Sequence, residues 1–393
     1  MKTKYPTNIA KSYVYTFFSF FGITSLWVIY LQMQGLSLVE IGLCESIFHV
    51  ASFLFEVPSG VLADRFLYKA VLIGGRVAAI LSAVIMLTSQ TFWMFAFSFV
   101  LNALSYNLQS GTIDALMYDS LVESQQTNAY PRIISTVNVL FEFGDTAGVV
   151  IAGFFVHWHF ELTYVIAILI GCLALLSVAA MKEPRVSSSR SKVQEPQTIK
   201  SIVVTAYHVL KTDRLLRNLM LFQAAFDGIC TSYYFYFQSL MEKDRFPGWT
   251  ISLLMVASAI VDIIGIKFTP AIQKHFSKTT LVSWLSWSLT GLLLATWLNW
   301  LPLLIGLFLG SQVLSSLVEP IFSSYYNDMI ASNQRATLLS VANVLFSFGM
   351  IGLFPLIGWL IDFQSFSMAF GTIGVLIVIF LGTSYFNNKQ LLK

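Results

Sequence analysis

Five stripes of acids and amides run through stretches of this sequence that are otherwise apolar. In the fourth such stretch Asn107, Gly111, Asp114 and Tyr118 stand at relative positions 0, 4, 7 and 11, one face of a helix. In the tenth, Gln312, Ser316, Glu319 and Ser323 repeat that spacing 205 residues later, so that Asp114 and Glu319 are counterparts. The seventh adds Gln223, Asp227 and Tyr234 on a common face. Glu45, His49, Ser52 and Glu56 line one face of the second, with Asp262 on the eighth at the place equivalent to Glu56, and Asn138, Glu142 and Asp145 line the fifth. A carboxylate near the centre of a bilayer costs about 2.5 to 3.5 kcal/mol, so such groups usually face a cavity and serve a transport step. Desolvation and a neighbouring acid both favour a protonated carboxyl, so acids of this kind can exchange protons near neutral pH, and a bound cation competes with the proton. Asp114, Asp227, Glu319, Glu142, Asp145, Glu45 and His49 are therefore candidates for substrate binding or proton coupling. The alternative reading for each is an interhelical hydrogen-bond or ion-pair strut. Glu45 and His49, one turn apart, could pair with each other.

The elements that must hold these groups are transmembrane helices. The 393 residues are 56% hydrophobic and 11% charged, against roughly 25% charged in an ordinary globular chain, too few to coat a water-facing surface. Twelve apolar segments of bilayer-spanning length fall at about 11–31, 39–62, 70–89, 92–121, 131–157, 160–181, 214–241, 249–271, 279–298, 300–328, 335–361 and 365–386. The first follows a basic start, but its apolar run to about Leu31 is too long for the core of a secretory signal. Cys44, Cys172 and Cys230 lie inside apolar segments without metal-ligand spacing, so neither a disulfide nor a metal site is expected. Gly144 and Gly148 form a small-xxx-small pair that reads as a close helix contact.

The chain repeats itself. NVLFEFG at Asn138–Gly144 returns as NVLFSFG at Asn343–Gly349, and Gly22, Ile23, Tyr30 and Gln32 return as Gly228, Ile229, Tyr236 and Gln238. Six helices separate the copies, so the halves share one orientation. Between them lies a polar, Ser-rich stretch carrying EPRVSSSRSKVQEPQ, which divides the chain into a bundle over 1–181, a linker over 182–213 and a bundle over 214–393. Placing both termini in the cytoplasm puts every Lys and Arg except Lys243 and Arg245 on the cytoplasmic side, Arg76 among them.

After the second helix the chain reads Gly60-Val-Leu-Ala-Asp64-Arg65-Phe-Leu67-Tyr68-Lys69. This resembles the signature loop of the major facilitator superfamily, which runs Gly, three variable residues, Asp, a base, a variable residue, Gly and two bases. Gly60, Asp64, Arg65 and Lys69 match, while Leu67 stands in place of Gly and Tyr68 in place of a base. The resemblance implies an all-α membrane protein of twelve transmembrane helices in two pseudo-symmetric six-helix bundles, similar to compact bacterial drug exporters. It implies that the first, fourth, seventh and tenth helices line the path, aiming Asp114, Asp227 and Glu319 into it. It also implies that the loop latches the cytoplasmic end of the fourth helix, with Asp119 as partner, and that Glu56 and Asp262 serve as interface charges.

The function these observations point to is proton-coupled export of small amphipathic or cationic compounds, with protons as coupling ion, no cofactor and a monomer in the cytoplasmic membrane. A proton-coupled nutrient importer, a carrier of lipid-like molecules and a non-transporting receptor or scaffold are the alternatives. No Lys or Arg lies centrally in the first, fourth, seventh or tenth helix, which counts against anionic substrates. No HExxH, GxxxxGK[ST], GxSxG or His/Cys cluster occurs, so an enzyme is not expected. The bases follow the membrane rule instead of forming a patch, so nucleic acid is not an expected partner.

Overall fold

The computed structural model describes residues 6–185, 204, 211, 213–329 and 335–387, without the side chains of Asp64, 327, 328, 335–340 and 382–387. Most of the expected linker over 182–213, together with Lys2, Lys4, Lys389 and Lys393, lies outside those residues. The described chain is helical, with no strand: α1 (Thr7–Ser19), α2 (Trp27–Met33), α3 (Leu38–Arg65), α4 (Tyr68–Thr88), α5 (Phe92–Gln109), α6 (Thr112–Glu123), α7 (Tyr130–Phe155), α8 (Glu161–Ala179), α9 (Arg214–Lys243), α10 (Gly248–His275), α11 (Lys278–Ala295), α12 (Leu301–Met329), α13 (Arg335–Phe363) and α14 (Phe366–Asn387). Eight of these, α3, α4, α7, α8 and α10 to α13, are each long and apolar enough to cross a bilayer. The pairs α1/α2 and α5/α6, with α9 and α14, complete twelve membrane segments. Side chains such as Trp93 (75% exposed) and Phe380 (69% exposed) stand on outer surfaces, as lipid-facing residues do.

Two segments that hydropathy presents as continuous helices are broken. Instead of one helix over 11–31, α1 ends at Ser19 and α2 begins at Trp27. Instead of one helix over 92–121, α5 ends at Gln109 and α6 starts after Gly111, whose φ of +72° an L side chain rarely adopts. Apolarity measures affinity for lipid and is blind to a single left-handed residue. The break also dissolves one expected stripe: Asn107 belongs to α5 and Asp114 to α6, so they do not share one helical face. Asn107 instead donates to Ser52 Oγ at 2.8 Å and to the Ala103 carbonyl at 2.9 Å.

The residues group into two compact units. Unit 1 comprises Met1–Tyr30, Ile47–Ser201 and Pro247–Met255; unit 2 comprises Leu31–Ser46, Ile202–Phe246 and Val256–Lys393. In unit 1, α4 packs on α5 and α8, and α1 packs on α6, α7 and α8. Ile9, Leu72, Leu116, Met117, Ile133 and Val178 form the core between them. The Pro247–Met255 segment joins this unit through Ser252, whose hydroxyl donates to the Val150 carbonyl at 2.7 Å. In unit 2, α9 packs on α12 and α13, and α11 on α12 and α14. Its core is aromatic, with Phe237 stacked on Phe308 at 4.4 Å and Tyr233 against Phe370 at 4.7 Å. The first turns of α3 join unit 2 because Tyr236 Oη donates to the Leu38 and Phe354 carbonyls, at 3.2 and 2.8 Å.

Candidate functional site

In unit 2 the acids of α9 and α12 come together. Tyr326 donates its hydroxyl to Gln223 Oε1 at 2.7 Å. Gln223 in turn hydrogen-bonds Asp227, one turn further along α9, and the Glu319 carboxylate lies close enough to act on that of Asp227. Rings adjoin the phenol end of this polar chain, Phe322 against Tyr326 at 6.1 Å and Phe222 stacked on Phe322 at 5.7 Å. No basic side chain pairs with Asp227 or Glu319 among the described residues. Pro320 follows Glu319 inside α12 and removes the N–H that would bond the carbonyl of Ser316, so the helix is weakened beside the acid. The seventh and tenth apolar segments thus bring together two carboxylates, one amide and one phenol, with aromatic rings at the phenol end.

Unit 1 holds two separate groupings. Asp114 sits in the first turn of α6, where N–H groups without intrahelical partners attract negative charge. Beside it Tyr118 and Tyr130 meet edge to face at 5.2 Å, and the Asp114 charge acts on Tyr130. An acid flanked by aromatic faces suits an organic cation. The second grouping lies at the α1/α2 break. Asp145 on α7 accepts from Ser25 Oγ at 3.2 Å, with Glu142 near enough to act on it, and the break is seated on α7 by the Gly22 N–H donating to the Gly144 carbonyl at 3.4 Å.

The remaining candidates are placed as follows. Glu45 is half-buried in unit 2, near enough to act on Tyr236. His49 is buried in unit 1, its ring 5.6 Å from that of Phe48. Glu56, Gly60 and Arg65 are exposed and Asp262 is half-exposed; the side chain of Asp64 lies outside the described residues. Around the signature loop, Tyr68 donates its hydroxyl to Asp119 Oδ2 at 3.1 Å. The Lys69 ammonium donates to the Ala179 and Met181 carbonyls at the end of α8. The backbone N–H groups of Tyr68 and Lys69 donate to the Glu183 carboxylate at 2.8 and 3.0 Å, capping α4. Asp119 is fully buried, so Tyr68→Phe, which removes one donor from a buried carboxylate, is expected to cost about 1 to 3 kcal/mol. A thermal unfolding midpoint unchanged from that of the unaltered protein would show that the hydroxyl contributes nothing.

Arg76, counted with the cytoplasmic bases, is buried, 4% exposed. The pair Gly74-Gly75 before it was the available signal, since glycines let helices approach closely.

The profile of the Major Facilitator Superfamily matches residues 12–283. The chain belongs to that superfamily. It is a multi-pass membrane transporter and not an enzyme. Over 332 residues it is 24% identical to "Quinolone resistance protein NorA" of Staphylococcus aureus, covering 81% of each chain. It is 23% identical over 369 residues to the "Uncharacterized MFS-type transporter YxaM" of Bacillus subtilis (strain 168), covering 90% of this chain and 87% of that one. Among solved structures it resembles the nucleoside transporter NupG, with a TM-score of 0.77 at 13% identity over 98% of this chain and 100% of that one. It also resembles a D-xylose-proton symporter, with a TM-score of 0.65 at 12% identity over 95% of each. The fold of this superfamily member is therefore the expected one, twelve transmembrane helices in two pseudo-symmetric six-helix bundles.

Proposed function

We propose that this transporter is a proton-coupled exporter of small amphipathic or cationic compounds, acting as a monomer in the cytoplasmic membrane with both termini inside. The observation that carries the reading is the grouping of Asp227, Glu319, Gln223 and Tyr326, with the Phe322 ring against Tyr326 and no basic partner among the described residues. A cation entering such a place meets negative charge and π faces, and displaces protons. Asp114 with Tyr118 and Tyr130 offers a second place of the same chemistry, and Asp145, Glu142, Glu45 and His49 are further proton carriers. The bundles over 1–181 and 214–393, joined by 182–213, rock about the bound compound. Gly60, Asp64, Arg65 and Lys69 with Asp119, and Glu56 and Asp262, act on the cytoplasmic side as latch and interface. Similarity to a protein named for quinolone resistance supports export.

The test is transport into proteoliposomes with the membrane potential clamped and protein-free vesicles as control. The compounds are ethidium, a permanent cation that acidity cannot trap, a fluoroquinolone, uridine and D-xylose. Ethidium or fluoroquinolone entry driven by an acidic interior is the expected result. Entry of uridine or xylose driven by an acidic exterior would replace the exporter with a nutrient importer.

A further inference from the structure

Among the described residues Arg76 is a buried arginine whose surroundings the acids do not explain. Its Nη2 donates to Ser105 Oγ at 3.1 Å and Gln109 Oε1 at 3.0 Å, and its Nη1 to the Ser19 carbonyl at 3.5 Å. The guanidinium lies over the Tyr15 ring at 5.6 Å, and Tyr15 donates its hydroxyl to the same Gln109 Oε1 at 3.1 Å. Nε is buried and finds no acceptor among the described residues, and no carboxylate there pairs with the group. A guanidinium taken out of water without a counter-ion is costly, so its neutral hydrogen-bond partners and the helix ends that carry them must balance it.

The partners share one property: they stand at the C-terminal ends of two broken helices. Ser19 is the last residue of α1 and Gln109 the last of α5, with Ser105 one turn before it. Carbonyls in the last turn of a helix have no intrahelical donor, and the helix presents about half a negative charge there. The Ser19 carbonyl brings the end of α1 directly to the cation, and the Gln109 side chain brings it to the last residue of α5. The planar fork of arginine, unlike the single ammonium of lysine, reaches both at once.

We infer that Arg76 is a positioning residue for transport: it ties the end of α1 to the end of α5, and so fixes both breaks in unit 1. Beyond the first break lies Ser25 on Asp145; beyond the second lies Asp114 in the opening turn of α6. Moving either helix end moves an acid of the proposed path. The inference rests on the superfamily's transport activity and not on the direction or substrate proposed above.

Hydrogen exchange followed by mass spectrometry on the purified protein in nanodiscs tests it without any substrate. In Arg76→Gln, amides around the two breaks, residues 16–26 and 105–116, are expected to exchange roughly tenfold faster while α7 and α8 away from them keep their protection. Arg76→Lys should protect one break and release the other, and Gln109→Leu, which leaves the charge in place, should loosen the α5 end alone. Ethidium transport adds a second readout: displaced acids raise KM, whereas simple loss of folded protein lowers the maximal rate at constant KM. Unchanged exchange at both breaks, or uniform loosening of every helix in unit 1, would overturn the inference. If ethidium is not carried at all, the exporter reading fails and the exchange result still decides this one.

Discussion

Asp227→Asn is expected to abolish proton-driven accumulation while leaving substrate movement intact. Asparagine keeps the size of the side chain and can still bond Gln223, so the geometry of the polar chain is preserved. What disappears is the only atom set at that position able to gain and lose a proton. With one proton per substrate, a one-unit pH gradient stores about 1.4 kcal/mol and sustains about tenfold accumulation. The variant should fall to the level of passive equilibration, roughly onefold, because its binding cycle no longer returns protons. Exchange of labelled for unlabelled ethidium across the vesicle, which needs no net proton movement, should persist. Glu319→Gln is the comparison, since it leaves Asp227 in place and removes the neighbouring charge. Full pH-driven accumulation in Asp227→Asn would move the coupling elsewhere, Asp114 and Asp145 being next in line. Loss of both accumulation and exchange would make Asp227 a binding or structural group and end its role as a coupling acid.

How far the sequence alone reaches can be judged at these same residues. Twelve segments and the superfamily were legible because both are written in long-range signals: apolar length set by bilayer thickness, a repeat at one offset, and a charged loop of distinctive spacing. The separate stripes of α9 and α12 were legible, since both are continuous helices and a stripe counted at 3.6 residues per turn remains a stripe. The same counting failed in the fourth segment, where the left-handed Gly111 rotates everything after it relative to Asn107. The burial of Arg76 was not legible for a related reason. Charge counting assigns a base to the nearer membrane face, but it carries no information about whether two helix ends stand ready to receive a guanidinium. The role of Tyr68, which stands in place of a base in the signature loop, is not written in its spacing. Here a phenol reaches the buried Asp119 with a hydrogen bond.

The break in α1 can be attacked from the other side, through the helix on which it rests. A Cβ on Gly148 would lie 2.4 Å from the Gly22 N, 2.5 Å from the Ile23 N and 2.6 Å from the Gly22 C. All three are backbone atoms, so no side chain can rotate away, and either α7 or the break must shift. Gly148→Ala is therefore expected to destabilise the protein by about 1 to 3 kcal/mol, the usual cost of overpacking, although alanine is the better helix former by about 1 kcal/mol. Gly291 in α11 supplies the control, because a Cβ there meets nothing within 4 Å. Gly291→Ala should leave the unfolding midpoint unchanged or raise it. Opposite signs for the two substitutions separate close approach from any general effect of glycine in membrane helices. The shift also has a functional reading, since the displaced break carries Ser25 away from Asp145. Transport by Gly148→Ala should fall further than its loss of folded protein explains, and a midpoint equal to that of Gly291→Ala would refute the contact that seats α1 on α7.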